Sequence, residues 1–451
     1  MSESAHQVTM DWTFWTATII FLVAYVVIVS ERVHKTIVAL TGAALMLIVK
    51  ILDQSEAFHL EETGVDWNVI FLLISMMVII NIMRPTGIFE YIAIKSAKWG
   101  RGEPVRILII FSVVTAVLSA FLDNVTTVLL LAPVTLLIAD ALEIDPVPFL
   151  ITEALTSNIG GTATLIGDPP NIMIASKAKL SFMDFIVHLT PAVIIIMIIY
   201  LVVLKMIFGR RLRVRPELRE RILAMDEREA IRDPVLLRKS LFVLSLVIIG
   251  FVFHGFFHYE PATVALSGAA LLLLLSSTDN PHHYLSEVEW PTIFFFIGLF
   301  IIIGGIVKVG LIKWLSLKVL DLTGGNMFAT SMLIMWFSAF ASAFVDNIPY
   351  VATMNPLIID MANQLWPELK GVELLQHHEL MPVWWSLALG ACLGGNGTAI
   401  GASANVIVVG MSERAGRKIT FLRFMLYGMP IMVLTVVIST LYVWLRYYVL
   451  S

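Results

Sequence analysis

The sequence predicts an all-α integral membrane protein made of two inverted repeats of about five transmembrane helices, each with a re-entrant hairpin and a discontinuous helix. Three observations predict this fold: an apolar composition, an internal duplication, and glycine- and proline-rich segments that interrupt apolar runs. Of the 451 residues, 58% are hydrophobic and only 14% are charged, whereas soluble domains average about 25% charged residues. A chain of this composition is expected to fold in a lipid bilayer.

Long apolar runs supply the transmembrane helices. Crossing a hydrocarbon core of about 30 Å takes about 20 helical residues. The first run lacks the preceding basic segment of a cleaved signal peptide and is too long for one, so it is predicted to remain as a helix. The candidate runs are 12–30, 36–52, 67–83, 147–176, 182–208, 241–257, 261–277, 290–307, 383–412 and 424–449.

The second half of the chain repeats the first. At a constant offset of 223, "SAFLDNVTTVLLLAP", which ends at Pro133, matches "SAFVDNIPYVATMNP", which ends at Pro356. At an offset of 234, "GGTATLIGDPPN" (residues 160–171) matches "GGNGTAIGASAN" (residues 394–405). An internal repeat of this length indicates a duplicated membrane protein.

The duplication divides the chain into an N-terminal repeat (1–208), a linker (209–239) and a C-terminal inverted repeat (240–451). The linker is the only long hydrophilic segment and holds ten lysine and arginine residues. Because basic loops stay on the cytoplasmic side, we expect a cytoplasmic linker, an external N-terminus and a multi-pass location in the inner cell membrane. Six crossings in each half would instead give two parallel repeats.

Five crossings in each half require residues 105–143 and 327–363 to enter the membrane and return on the same side. Each segment has an Asp-Asn pair at its centre, flanked by apolar arms. These arms are expected to be too short to span the membrane twice. The pattern predicts one re-entrant hairpin in each half.

The segment "GGTATLIGDPPN" places three glycines, two prolines and an aspartate inside an apolar run. An unpaired backbone group in lipid is costly, so irregular backbone at membrane depth survives only against protein or a water-filled cavity. Inverted repeats whose broken helices share a central site are the architecture of secondary transporters. The breaks therefore predict a binding site near the middle of the membrane.

Polar side chains collect at the two hairpins and the two breaks, and no lysine or arginine is expected among them. Because an intramembrane carboxylate is by default a functional-site hypothesis, the three aspartates are predicted to couple transport to protons. These are Asp123, Asp168 and Asp346. The predicted substrate-binding residues are Asn124, Thr126, Asn158, Thr162, Asn171, Asn347, Asn396, Thr398 and Asn405.

Structural roles compete with these functional ones. Asp168 precedes Pro169, and an N-cap aspartate followed by a proline is a common way to begin a helix. Asp123 and Asp346 could likewise only cap the arms of their hairpins. The asparagines can satisfy the open backbone as well as bind a solute, and threonines more often bond back to their own helix.

In these residues the chain resembles the ArsB/NhaD-type permeases of the ion transporter superfamily, which include arsenite/antimonite efflux proteins, sodium/proton antiporters and the melanosomal P-protein branch. The resemblance covers essentially the whole chain and rests on both Asp-Asn hairpins, both Gly-Gly breaks and "SNIGGTATLIGDPPN". It implies alternating access, with substrate held between hairpin tips and broken helices. Pro349 replaces the first threonine of "DNVTT" in the second hairpin, so the two tips are not expected to be fully equivalent.

The predicted function is a proton-coupled antiporter that exports arsenite or antimonite, with sodium/proton exchange as the alternative. A dicarboxylate would meet three aspartates without a basic partner. Neutral arsenious acid can form hydrogen bonds with the amide, hydroxyl and carboxylate oxygens, and sodium can bind the same oxygens directly. A passive channel remains an alternative that only transport against a gradient separates from an antiporter.

The other expectations concern enzyme activity and partners. An intramembrane aspartyl protease would need glycine where Leu165 stands, and no HExxH motif is present, so no enzyme activity, cofactor or resident metal is expected. The expected partners are a small inorganic solute, protons and the lipid bilayer, and not nucleic acid. The sequence leaves an ATPase subunit and a homodimer open.

Overall fold

The computed structural model describes residues 9–30, 32–60, 62–209, 212, 214–276 and 281–450. Within these ranges the chain is helical without a β-strand, and nine helices are long and apolar enough to cross a membrane. The prediction of an all-α integral membrane protein is therefore confirmed. The extreme N-terminus, predicted to be external, and three basic residues of the linker lie outside the described ranges; the latter are Arg210, Arg211 and Arg213.

Eleven α-helices lie in the described part of the first half. Several begin with proline in the first turn, where the missing amide hydrogen removes no helical hydrogen bond. The helices are α1 (Trp12–Ser30), α2 (Lys35–Ile48), α3 (Gln54–Phe58), α4 (Trp67–Met83), α5 (Ile88–Trp99), α6 (Pro104–Phe121), α7 (Asn124–Ala141), α8 (Val147–Gly161), α9 (Pro169–Ala178), α10 (Phe182–His188) and α11 (Thr190–Phe208).

The linker contains α12 (Pro216–Ala224) and a 3-10 turn (Glu227–Ala230). Helix α13 (Pro234–Phe253) follows and begins at Pro234, where Asp233 caps it. The second half continues with α14 (Pro261–Leu275), α15 (His282–Ser286), α16 (Trp290–Lys308), α17 (Leu311–Thr323), α18 (Met327–Phe344), α19 (Asn347–Leu365), α20 (Gly371–Leu375), α21 (Met381–Gly394), α22 (Ser403–Arg414) and α23 (Phe421–Trp444).

The hairpin arms are longer than the sequence suggested. Helices α6 and α7 have 18 residues each, and α18 and α19 have 18 and 19. Since 18 helical residues extend about 27 Å, the prediction that the arms would be too short to span was wrong. The turns between the arms lie at Asp123 and Asp346, and the following asparagines contact the broken helices. Both hairpin tips therefore end inside the protein.

The two predicted breaks are present. Helix α8 ends at Gly161, and α9 begins only at Pro169. In the second half α21 ends at Gly394, a 3-10 turn follows (Gly395–Gly397), and α22 begins at Ser403. Each half-helix alone is too short to cross a membrane.

The two halves interleave. Helix α2 packs along α16, and its counterpart α14 packs along α4, the counterpart of α16. Within each half a hairpin arm packs on the broken helix, as α6 on α8 and α18 on α21, and the outgoing arms cross to the other half, as α7 to α22 and α19 to α9. Each contact thus recurs when the halves are exchanged, as expected for repeats related by a two-fold axis. The boundaries 1–208, 209–239 and 240–451 stay a prediction.

Glycine allows each hairpin arm to approach the broken helix closely. A Cβ atom on Gly160 would lie 2.4 Å from the Ala116 Cα atom, and one on Gly394 would lie 2.6 Å from the Ala339 Cα atom. Ala116 and Ala339 are counterparts at the offset of 223, as Gly160 and Gly394 are at 234. Both halves therefore use the same glycine-on-alanine contact, which membrane helices favour for close packing.

Candidate functional site

Side chains form hydrogen bonds with the open backbone of both breaks. The Asn171 amide nitrogen donates to the carbonyl oxygens of Thr162 (3.2 Å) and Thr164 (2.8 Å). Its counterpart Asn405 donates to the carbonyl oxygens of Gly395 and Thr398, both at 2.8 Å. These two predicted substrate-binding residues hold the shape of the breaks in this conformation.

Hydroxyl groups join each break to its hairpin. Ser119 donates to the Ser157 carbonyl at 2.6 Å, and Ser342 donates to the Ala391 carbonyl at 2.7 Å. The Thr398 hydroxyl donates to the carbonyl of Ala343. Thr162 instead bonds back to the Asn158 carbonyl at 2.7 Å, which is the structural role that competes with solute binding for threonine.

Four helix N-termini converge at the centre. They belong to α7 and α19, which start at the hairpin tips, and to α9 and α22, which start after the breaks. The packing of α7 on α22 and of α9 on α19 brings them together. Each N-terminus carries a partial positive charge and unpaired amide hydrogens, which favour carboxylates and other anions. The three predicted proton-coupling aspartates occupy the N-cap positions of α7, α9 and α19.

A buried cluster of asparagines surrounds Asp168. The Asn124 amide nitrogen lies 3.0 Å from the Asn158 side-chain oxygen and 3.2 Å from a carboxylate oxygen of Asp168. Asn347, from the other hairpin, approaches the same carboxylate at 3.3 and 3.4 Å. One carboxylate thus receives hydrogen bonds from both hairpin tips.

Asn158 connects this cluster to the second break. Its amide nitrogen donates to the side-chain oxygens of Asn396 at 2.9 Å and Asn405 at 3.1 Å. Asn396 in turn donates to the Leu155 carbonyl at 3.2 Å. Because these side chains are buried and bonded to one another, the cluster is a continuous polar connection between the two halves.

Asp168 does not cap its helix. It occupies the N-cap position of α9, but its carboxylate accepts no hydrogen bond from the first turn of that helix. It accepts from Asn124 and Asn347 instead. Asp123 and Asp346 do cap, since they accept from the backbone amides of Thr126 (2.8 Å) and Ile348 (3.1 Å). The capping interpretation thus applies to the two hairpin aspartates and not to Asp168.

Cys392 belongs to the cluster although its residue type gave no sign of it. At the offset of 234 it is the counterpart of Asn158. Its thiol lies 3.5 Å from the Asn171 side-chain oxygen, just as Asn158 approaches Asn405 in the other half. The repeat offset is the sequence signal that could have identified it.

A cavity of about 400 Å³ opens beside the hairpin tips. Its wall is mostly apolar, and none of the predicted substrate-binding asparagines or threonines lines it. The polar and charged lining residues are His34, Lys35, Asp123, Glu289, Thr292, Asp346 and Ser403. Two of the predicted aspartates therefore face the cavity, whereas Asp168 lies fully buried behind them.

A lysine joins the site, contrary to the expectation that no basic side chain would. The Lys35 ammonium lies 2.8 Å from a carboxylate oxygen of Asp346 and 3.0 Å from the Ser403 hydroxyl. Lys35 starts α2 in the first half, whereas Asp346 and Ser403 start helices of the second half. Sequence reasoning missed this contact because Lys35 ends the short polar segment "SERVHK" (residues 30–35), outside the apolar runs and far in sequence from both partners.

A second cavity, of about 910 Å³, lies at the other end of α16. The first cavity is lined by Thr292 and Phe296 of that helix, and the second by Phe300 through Lys308. Helices α9 and α19 likewise line both cavities, with their first residues facing the first and later turns facing the second. Two cavities therefore lie at opposite ends of the same helices.

Comparisons with known proteins identify the class. A family model described as a citrate transporter, CitMHS, matches residues 25–390. An uncharacterised transporter of Mycobacterium tuberculosis is 49% identical over 434 residues, which cover 96% of this chain and 99% of the relative. A 46 kDa membrane protein of Mycobacterium leprae is 46% identical over 435 residues, with the same coverage.

The P protein of Homo sapiens is 32% identical over 504 residues, which cover 94% of this chain and 59% of the P protein. The predicted relation to the P-protein branch is thereby confirmed. The matched family and the relatives named as transporters also agree with the predicted transporter class. The chain belongs to the CitMHS citrate transporter family, a family of membrane transporters.

Proposed function

We propose that this transporter is a proton-coupled antiporter that exports arsenite or antimonite by alternating access. One observation carries the proposal: Asp123, Asp346 and Lys35 meet at the wall of a cavity where four helix N-termini converge. Charged side chains inside a membrane protein are costly and mark transport pathways. The packing of the two halves, in which each contact recurs when the halves are exchanged, fits the symmetry that alternating access uses.

Protons couple through the two carboxylates that face the cavity. Asp346 is paired with Lys35, whereas Asp123 has no ion-pair partner within the described chain and accepts hydrogen bonds from Thr126. A proton that binds Asp123 removes the charge and one acceptor from the wall, so it competes with a solute held by the same oxygens. This competition exchanges protons for solute in each cycle.

The charge of the cavity selects against anions. Among the described residues, three carboxyl groups line it, from Asp123, Glu289 and Asp346, against the single ammonium of Lys35. Lys35 therefore weakens, without reversing, the argument that a fixed anion would be repelled. A neutral trihydroxide such as arsenious acid can donate hydrogen bonds to these carboxylates without adding charge.

Sodium is the second candidate, and the excess of carboxylates in the cavity is the observation that favours it. However, Lys35 already occupies the Asp346 carboxylate at 2.8 Å, and a sodium ion would have to displace it. A neutral solute can bind beside the ion pair. Citrate, which the family description names, would require protonated carboxyl groups or strong help from the helix N-termini.

We further propose an external N-terminus and a cytoplasmic linker in the inner cell membrane. The single native cysteine, Cys392, is fully buried, so an introduced cysteine can be labelled without background. A membrane-impermeant maleimide should label Arg228→Cys in everted vesicles and spare it in intact cells. Labelling in intact cells would reverse the orientation.

The proposed function is tested by uptake into everted vesicles under an imposed pH gradient, with arsenite, sodium and citrate as separate substrates. Arsenite accumulation that collapses with the gradient is the expected result, and Asp123→Asn should abolish it. Asp140→Asn is the matched control, because Asp140 lies exposed at the other end of α7. Accumulation of sodium or citrate but not of arsenite would show that the accumulated solute, and not arsenite, is the substrate. Uptake that never exceeds equilibrium would indicate a channel.

A further inference from the structure

Glu153 is a buried carboxyl group that the central cluster does not include. It lies in the middle of α8 and is 1% exposed. One of its oxygens accepts a hydrogen bond from the Thr135 hydroxyl of α7, and the other has no hydrogen-bond partner. Within the described chain no basic side chain forms an ion pair with it.

The surroundings of Glu153 suit a neutral carboxyl group. The helices packed against α8 offer two buried titratable groups, Tyr200 on α11 and Cys392 on α21. Their charged side chains lie near helix ends and are exposed or half-buried; these are Arg106, Asp140, Lys205, Glu413, Arg414 and Arg423. A carboxylate with one hydroxyl donor and no cation would be an uncompensated buried charge. The protonated acid, by contrast, carries no charge and needs an acceptor for only one hydrogen.

The fold does not need this polar pair. At the repeat offsets the counterpart of Glu153 is Leu387, and the counterpart of Thr135 is Ile358. Both counterparts are fully buried in the second half. The same position between hairpin arm and broken helix can thus be filled by apolar side chains. An acid kept at such a position calls for a role other than packing.

The position of Glu153 connects it to the transport machinery. It stands five residues before Asn158 on the same helix, about 7.5 Å along the axis. Asn158 bonds to Asn124 at the tip of α7, and Thr135 lies further along α7. Any movement of the hairpin relative to α8 therefore changes the surroundings of Asn158 and of Glu153 together.

We propose that Glu153 is a further proton-binding site of this transporter, protonated in the present conformation and deprotonated at another stage of the cycle. The bond that forms and breaks is the O–H bond of its carboxyl group, and the proton comes from water and returns to water. This inference rests on the proposed proton coupling. It adds a coupling residue on one half only, so the two halves are not equivalent in the cycle.

The test separates coupling from transport itself. In proteoliposomes, arsenite accumulation driven by a pH gradient is compared with exchange of internal for external arsenite at equal pH. Glu153→Gln keeps the size and hydrogen-bonding capacity of the acid, and Glu153→Leu supplies the residue that the second half carries. Leu387→Gln is the matched control on the equivalent helix.

The expected result is that neither Glu153 variant keeps full gradient-driven accumulation and that at least one of them loses it while keeping exchange, whereas Leu387→Gln does not show this split. Full gradient-driven accumulation in either Glu153 variant would overturn the inference. Loss of both activities in both variants would overturn it too, because that outcome describes a structural role. If the wild-type protein shows no gradient-driven accumulation of arsenite, sodium or citrate, the proposed coupling itself fails, which is distinguishable from failure at Glu153.

Discussion

The contact between Gly160 and Ala116 can be tested by adding one methyl group. In Gly160→Ala the new Cβ atom would lie 2.2 Å from the Ala116 carbonyl oxygen and 2.4 Å from its Cα atom. Non-bonded carbon atoms prefer a separation of about 3.5–4.0 Å. Both atoms of Ala116 belong to the backbone of α6, so no side-chain rotation relieves the overlap. The hairpin arm must move away from α8 by about 1 Å or more.

The expected cost follows from this overlap. Forcing an extra methyl group into a packed interior costs about 1–3 kcal/mol. Replacing a helical glycine by alanine returns about 0.5–1 kcal/mol, so the mid-points of the two ranges leave a net destabilisation of about 1 kcal/mol. Transport should suffer as well, because Asn158 lies two residues before Gly160 and holds the central cluster together.

The change in thermal stability is measured by heating the protein in detergent and detecting the remaining folded fraction by size-exclusion chromatography. Gly160→Ala and its counterpart Gly394→Ala should both melt below the wild-type protein. Gly410→Ala is the matched control, since a Cβ atom there meets nothing within 4 Å, and it should melt at or above the wild-type temperature. Wild-type melting and wild-type transport in Gly160→Ala would refute the close approach of α6 and α8.

Two further predictions concern ion pairs. Lys35→Met should destabilise the protein by about 1–3 kcal/mol, between the values for exposed and buried ion pairs, because the Lys35 and Asp346 side chains are 27% and 13% exposed. A double-mutant cycle with Asp346→Asn measures the coupling energy of the two side chains. A coupling energy near zero would contradict the ion pair. In the linker, the hydrogen bond from Lys98 lowers the pKa of Glu227. The stabilisation by that pair is therefore present above the unfolded pKa, about 4.3, and is lost as the pH falls through the lower folded pKa. Hydrogen exchange around Glu227, corrected for intrinsic rates, should rise at acid pH in the wild-type protein and not in Glu227→Gln; identical profiles would count against the pair.

Local patterns predicted the helices well. The predicted ranges of α1 and α4 coincide with the observed ones, Trp12–Ser30 and Trp67–Met83. Apolar length alone determines such a helix, because only a fully hydrogen-bonded backbone can cross lipid. The breaks after Gly161 and Gly394 were equally predictable, since glycine, proline and polar residues inside an apolar run have no other explanation in a membrane.

The path of the hairpin arms and the role of Asp168 were harder to predict from the sequence. Apolar arms of 18 residues have the same sequence pattern whether they span a membrane or turn back inside the protein. Only the contact of Asn124 with Asn158 distinguishes the two. Similarly, an aspartate before Pro169 has the pattern of a helix cap, and its actual partners come from two hairpin tips remote in sequence.

The sequence by itself determined that the chain folds in lipid, that it is duplicated, where its helices break and which polar residues lie near the centre. These features depend on composition and on local sequence patterns. Only the tertiary structure decided which of those residues face the cavity. It also brought Lys35 to Asp346, 311 positions away, placed Cys392 in the asparagine cluster, and isolated Glu153 with Thr135. These contacts form when two halves of the chain interleave, and side chains that meet across such an interface leave no periodic signal in either half.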